Sequence, residues 1–255
     1  MRLVIKVGTS TLAHSTGRIS IRHVESLCKV MSDLKNSGIE VILVSSGAIG
    51  MGVGKLNLSR RPDDMATKQA AAAVGQCELM YTYDKLFAEY NHTVAQILVT
   101  GYDVRSEVSY INFKNTMYRL LELGVLPVIN ENDTVSTEEI GIGDNDTLAA
   151  IVATSVDADL LVLLSDIDGL YTADPRKHSD AKLIESVDNI NEDIIALAGG
   201  SGSSLGTGGM VSKINAAKIC MESGCDMIIA NGENPEILYD IAEGKKIGTR
   251  FIAKE

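Results

Sequence analysis

RLVIKV (Arg2–Val7), ISIRHVESLCKVMSDLKNSG (19–38) and EVILVSS (40–46) follow one another at the start of the chain, and together they decide the fold. The first and third are short, continuous apolar runs, the pattern of strands buried on both faces. Between them apolar residues recur every three or four positions, with Ser20 placed as a cap and Gly38 as a stop, which predicts a helix. Strand, helix, strand is the unit of a parallel sheet.

The rhythm continues along the chain. MATKQAAAAVGQCELMYTYDKLFAEY (65–90) predicts a long Ala-rich helix, and VSYINFKNTMYRLLEL (108–123) another. TVAQILV (93–99), GVLPVIN (124–130), ADLLVLLS (158–165) and DMIIAN (Asp226–Asn231) predict further strands. Right-handed crossovers put helices on both faces. The expected class is therefore α/β, a three-layer α/β/α sandwich with a mainly parallel central sheet. One unit over 1–255 is expected, with lobes of about 1–155 and about 156–255 joined near 154–158. TVSTEEIGIGD (134–144) breaks the pattern and reads as an exposed hairpin or lid.

Composition narrows the function classes. The net charge is −11 and no run of five or more Lys/Arg occurs, which argues against nucleic-acid binding. No run of eighteen apolar residues points to a membrane span. The N-terminus lacks the small-residue cleavage site of a signal peptide. Four cysteines without a C-x-x-C pair fit reduced thiols and a cytoplasmic location. His14, His23, His92 and His178 form neither H-E-x-x-H nor a close pair, so zinc is disfavoured.

In open α/β sheets ligands bind beyond the carboxyl ends of the strands. The segments there are KVGTS, SSGAIG, NENDTVS, LSDIDGLYTADP and ANGENP. Lys6 ends an apolar strand, and a buried ammonium needs an anionic partner; the alternative is a lysine snorkelling to solvent. Gly47, Gly50 and Gly52 do not fit G-x-G-x-x-G. They open either an anion site at a helix start or a close helix–strand packing contact. GDNDT (143–147) starts a helix with Asp144 or Asn145 as cap, leaving the direction of Asp146 open. DIDGLYTADP fails the calcium-loop spacing and reads as a turn. LGTGGMVSK (205–213) is no Walker loop, because no strand precedes it and Ile214 follows the lysine. It presents Gly208 and Gly209 at a helix start with Lys213 one turn inside, or it is a Gly/Ser loop without a ligand.

Taken together, KVGTS, VSSGAIGMG, KQAAAAVGQ, PVINENDTVS, GDNDTLAA, SDIDGLYTADPR and GTGGMVSK resemble the amino-acid kinase superfamily, most closely its glutamate 5-kinases. These motifs run from Lys6 to Lys213. The resemblance implies ATP-dependent phosphorylation of the side-chain carboxylate of L-glutamate, the first step of proline biosynthesis. It implies that Lys6 and Lys213 contact the transferring phosphoryl group and that Asp146 sits between them. It assigns Ser46, Asp133 and Asn145 to glutamate. It assigns Lys6, Ser165, Asp166, Thr207, Gly208, Gly209, Met210, Val211, Ser212 and Lys213 to ATP. Glutamate would occupy the N-lobe and ATP the C-lobe. Mg2+ is expected with ATP, with no protein ligand named. Feedback inhibition by proline and a homodimer or homotetramer are further implications. Such kinases often carry an extra C-terminal domain of the kind found in RNA-modifying enzymes, whereas this chain stops at Glu255. The alternatives are a related kinase of another small carboxylate or phosphate, and a non-enzymatic amino-acid sensor.

The implied chemistry suits the residues. A glutamate side chain, with a reference pKa of about 4.3, is already ionised near neutral pH and needs no general base. The difficulty is bringing one anion up to a polyanion, which positioning and charge stabilisation solve. Two lysines supply that charge, and one carboxylate between them offsets their repulsion.

Overall fold

The computed structural model describes residues 1–14, 16, 18–136, 144–199 and 209–254. The chain opens with β1 (Arg2–Val7), α1 (Thr9–Leu12), α2 (Ile21–Asn36) and β2 (Glu40–Val44). Next come α3 (Ala48–Lys55), α4 (Met65–Ala88), β3 (Val94–Val99), α5 (Gly101–Arg105), α6 (Glu107–Glu122) and β4 (Leu126–Glu131). Then α7 (Asn145–Ser155), β5 (Leu160–Ser165), β6 (Ser186–Val187) and α8 (Glu192–Gly199) follow. The chain closes with α9 (Met210–Glu222), β7 (Asp226–Asn231), α10 (Ile237–Ala242) and β8 (Thr249–Phe251).

The strands form one sheet of eight in the order β3-β4-β2-β1-β5-β7-β8-β6. Every neighbouring pair is parallel except β7 with β8. β1 lies in the middle, with Lys6 opposite Val44 on one side and Leu163 on the other.

Side chains alternate across the sheet, and this sets the layers. Leu3, Ile5 and Val7 share a core with residues of α2, α3, α4 and α10. Val4 points the other way, into a core with α6, α7 and α9. Lys6 is two residues on from Val4 and takes the same face. The sandwich has the expected three layers for this reason.

The differences from the expected elements are local. β2 stops at Val44, not at 46, because the chain turns there. Ser45 N–H still donates to the Ile129 carbonyl, at 2.8 Å, and its hydroxyl lies 2.9 Å from that of Tyr83. Ser20 occupies the cap position of α2 without a side-chain capping bond, while Gly38 ends the turn after it at φ 95°. β6 and β8 are two and three residues long, too short to show a period. The segment 134–144 is described only to residue 136 and from 144, so the hairpin or lid lies outside the described residues.

The glycines after β2 are chiefly packing devices. A Cβ on Gly52 would stand 1.8 Å from the Ala71 carbonyl oxygen, and one on Gly75 1.7 Å from that of Ala48. Helices α3 and α4 therefore touch backbone to backbone. The expected contact was helix against strand; the observed one is helix against helix. Gly47, at φ 100°, turns the chain into α3 in a conformation L side chains rarely adopt. Cys28, Cys220 and Cys225 are buried, Cys77 is exposed, and all four are free thiols.

Candidate active site

Lys6 stands at the carboxyl end of the central strand, on the face that α7 and α9 cover. The orientation of α7 follows from its cap. Asp144 accepts from Thr147 N–H at 2.8 Å and from its hydroxyl at 3.1 Å, which decides the cap in favour of Asp144 over Asn145. Asp146 then falls in the first turn with its side chain inward, 1% exposed. Lys213 sits in the first turn of α9, which packs on α7.

The three meet. Lys6 Nζ lies 2.6 Å from Asp146 Oδ1 in an ion pair. Lys213 Nζ donates to Asp146 Oδ2 at 2.9 Å. The Ser212 hydroxyl also reaches Oδ2, at 2.8 Å, and the Gly209 carbonyl at 2.7 Å. Lys6 and Lys213 are 8% and 6% exposed, so Lys6 does not snorkel. Burial alone would push the Asp146 carboxyl up; the two ammonium groups outweigh it and hold it below its ordinary value. Two lysines thus gather around one carboxylate at the carboxyl ends of the central strands, in a protein of net charge −11. An incoming anion would meet both ammonium groups there.

Asn145, the neighbour of Asp146, carries a second network. Its Nδ2 donates to Ser46 Oγ at 2.7 Å, to the Ser45 carbonyl at 3.1 Å and to Asn130 Oδ1 at 3.1 Å. Asn130 Nδ2 in turn donates to Gln76 Oε1 at 2.9 Å. The ends of β2 and β4, the start of α7 and the middle of α4 are thus tied together by side-chain amides. Asp133 stands half-buried just beyond β4. Burial, reinforced by Glu131 and opposed by Arg61, raises its carboxyl to about 6.

On the other side of Lys6, Ser165 ends β5, opposite Asn231 of β7. The Ser165 hydroxyl points to Asp166 Oδ1 at 3.3 Å, and Asp166 pairs with Arg176 at 3.4 Å. Asp168 accepts from Asn231 Nδ2 and from the Tyr171 hydroxyl, both at 2.8 Å, and these two bonds hold its carboxyl below its ordinary value. Gly209, Met210 and Val211 lead into Lys213 at the start of α9. Thr207 and Gly208 lie outside the described residues.

Of the site residues read from sequence, Lys6, Asp146, Lys213 and Ser212 are in contact, as are Asn145 and Ser46. Ser165 and Asp166 lie at the same carboxyl ends of the strands. Asp133 stands on the β4 side. Gln76 and Asn130 join this network from inside quoted motifs; in sequence Gln76 is a polar residue in a stretch of small and apolar ones, and Asn130 ends the apolar run of its strand. Among the described residues no group of three or more His, Cys, Asp or Glu could hold a metal ion. A cavity of about 480 Å³ between α2, α4 and α10 contains none of these residues and lies on the opposite face of the sheet.

Residues 1–231 match the amino acid kinase family. The chain is 53% identical to the glutamate 5-kinase of Clostridium perfringens, covering all of this chain and 96% of that one. It is 54% identical to the glutamate 5-kinase of Caldanaerobacter subterraneus, over 99% of this chain and 68% of the relative. Among solved structures, isopentenyl phosphate kinase of T. acidophilum superposes with a TM-score of 0.68 at 20% identity, covering 98% of this chain and 100% of that one. Carbamate kinase of Giardia lamblia, bound to AMP-PNP, gives 0.67 at 20% identity, over 99% and 98%. These two bear on the fold alone. A buried lysine pair around one aspartate, on a mainly parallel sheet, thus stands in a sequence with close relatives over its whole length, and the chain belongs to the amino acid kinase family and, within it, to the glutamate 5-kinases.

Proposed function

We propose that the chain transfers the γ-phosphoryl group of ATP to the side-chain carboxylate of L-glutamate, giving L-glutamyl 5-phosphate for proline biosynthesis. The observation that carries this reading is the buried Lys6–Asp146–Lys213 cluster beside the Asn145–Ser46 contact. A carboxylate oxygen attacks the γ-phosphorus. The bond to the β,γ-bridging oxygen breaks, and ADP leaves with that electron pair. Lys6 and Lys213 stabilise the charge gathering on the phosphoryl oxygens. Asp146 positions both lysines. No histidine lies in the network, in keeping with an acceptor that needs no base.

Ser46, Asn145 and Asp133 bind glutamate on the N-lobe side, about 1–155. Ser165, Asp166 and 207–213 bind ATP on the C-lobe side. An ammonium group of the amino acid facing Asp133 would bring its raised carboxyl back down. Mg2+, when bound, neutralises charge on the phosphates. Both oxygens of Asp146 face the lysines and Ser212, so Asp146 does not fit as a direct ligand. Magnesium's slow dehydration favours phosphate and water ligands instead. Proline as a feedback inhibitor at or near the glutamate pocket, a cytoplasmic location and a homodimer or homotetramer complete the reading. Tyr102, Val108 and Ile111, exposed on α5 and α6, offer apolar surface for subunit contact.

Release of ADP, measured with glutamate, aspartate, acetylglutamate, carbamate and UMP in parallel, tests the assignment. Turnover with glutamate well above the others is expected. Preference for another acceptor would reassign the substrate, and no turnover with any of them would favour the sensor.

A further inference from the structure

Gln76 takes no part in the chemistry above, yet it is buried and half satisfied. It is 7% exposed, its Oε1 accepts from Asn130, and its Nε2 is sealed from solvent with no hydrogen-bond partner among the described residues. Leaving a buried amide donor unpaired costs about 1–3 kcal/mol. Such groups persist where a site requires them.

The orientation of the Asn130 and Gln76 amides follows from one backbone group, and the Ser45 carbonyl, 3.1 Å from Asn145 Nδ2, turns the Asn145 amide the same way. Glu131 N–H donates to Asn130 Oδ1 at 2.9 Å. A backbone N–H cannot accept, so Asn130 must turn its oxygen that way. Its nitrogen then has to face Gln76, and Gln76 has to answer with its oxygen. Nε2 is thereby left over. The same Asn130 oxygen receives Asn145 Nδ2 at 3.1 Å. Asn145 in turn presents Nδ2, not its oxygen, to Ser46 Oγ. The Ser46 hydroxyl is thus an acceptor within the network, with its own hydrogen left for a ligand. Gln76 itself is held by its helix: the adjacent Gly75 is pressed on the Ala48 carbonyl, and Tyr83, two turns on, meets Ser45.

We infer that Gln76 is a positioning residue for the acceptor substrate: by accepting from Asn130 Nδ2 it holds the Asn130 side chain, already oriented by Glu131 N–H, against Asn145, and so helps keep Asn145 where it leaves the Ser46 hydroxyl free to donate. The orphaned Nε2 is the cost of that one-way alignment. This rests on the proposed role of Ser46 and Asn145 in binding glutamate.

Gln76→Met keeps the length of the side chain and removes both the acceptor and the orphaned donor. Gln76→Glu keeps an acceptor toward Asn130. With Gln76→Met, KM for glutamate is expected to rise about tenfold while KM for ATP and the melting temperature hold. Gln76→Glu should recover most of that loss. Unchanged KM for glutamate in the Met variant would overturn the inference. So would a parallel rise in both KM values with a lower melting temperature, or a Glu variant that folds and is no better than Met. Asn145→Ala serves as the reference. If it fails to raise KM for glutamate, the binding role of Asn145 is wrong; if it does and Gln76→Met does not, only the role of Gln76 is wrong.

Discussion

Lys213 donates through Nζ to Asp146 Oδ2 at 2.9 Å, although the two residues stand 67 positions apart in the chain. The contact joins the first turns of two helices, and Lys6 closes it from the central strand. Replacing Asp146 by Asn keeps the shape and removes the charge. The carboxylate charge that two buried ammonium groups share is then gone, a loss of about 3–5 kcal/mol. Turnover should fall by about a hundredfold or more. Thermal melting and steady-state kinetics on the same sample check both effects.

Losing one lysine is a milder event for the fold, because Asp146 keeps the other. Lys213→Ala and Lys6→Met are each expected to lower kcat by about a hundredfold or more with the chain still folded. Normal turnover in either variant would remove that lysine from the chemistry. A lower melting temperature with kcat intact would make it structural only.

Acid should act through Asp146. Its carboxyl is held below the ordinary value, so its contribution to stability is complete above the ordinary carboxylate range. That contribution is lost as pH falls through the lowered value. The acid limb of a melting-temperature profile should therefore flatten in Asp146→Asn.

Asp133 works the other way. With its carboxyl raised to about 6, the free protein loses stability from this group as pH climbs toward that value. Glutamate binding needs the ionised form if an ammonium group pairs with it. KM for glutamate should thus rise as pH falls below about 6, with KM for ATP little affected. Asp133→Ala should raise KM for glutamate at neutral pH and abolish this pH dependence. Equal effects on both substrates would mark Asp133 as structural.

Gly75→Ala probes the seam between α3 and α4. The added methyl would sit 1.7 Å from the Ala48 carbonyl oxygen, so the helices must part. A loss of about 1–3 kcal/mol in urea denaturation is expected.

Much of this arrangement was legible in the sequence. Central strands such as RLVIKV and DMIIAN are mostly apolar because both faces are covered, and their bounds match the observed ones. β6 and β8 were not legible, since two or three residues carry no period. The lysine cluster came from resemblance, not from spacing. Nothing local says that Asp146 turns inward; that depends on Asp144 taking the cap. The role of Gln76 has no local signature, because its partner, Asn130, lies 54 positions away.

Among the strands of this sheet β1 comes earliest in the chain, and it is one of the innermost. One flank is covered once residues 40–44 emerge, but the other waits for Leu160–Ser165. Throughout that interval a nascent chain would present a bare, apolar parallel edge, the kind that recruits other strands. Folding during translation is therefore most exposed at the strand that later carries Lys6, and chaperones that shield open sheet edges would act on this interval.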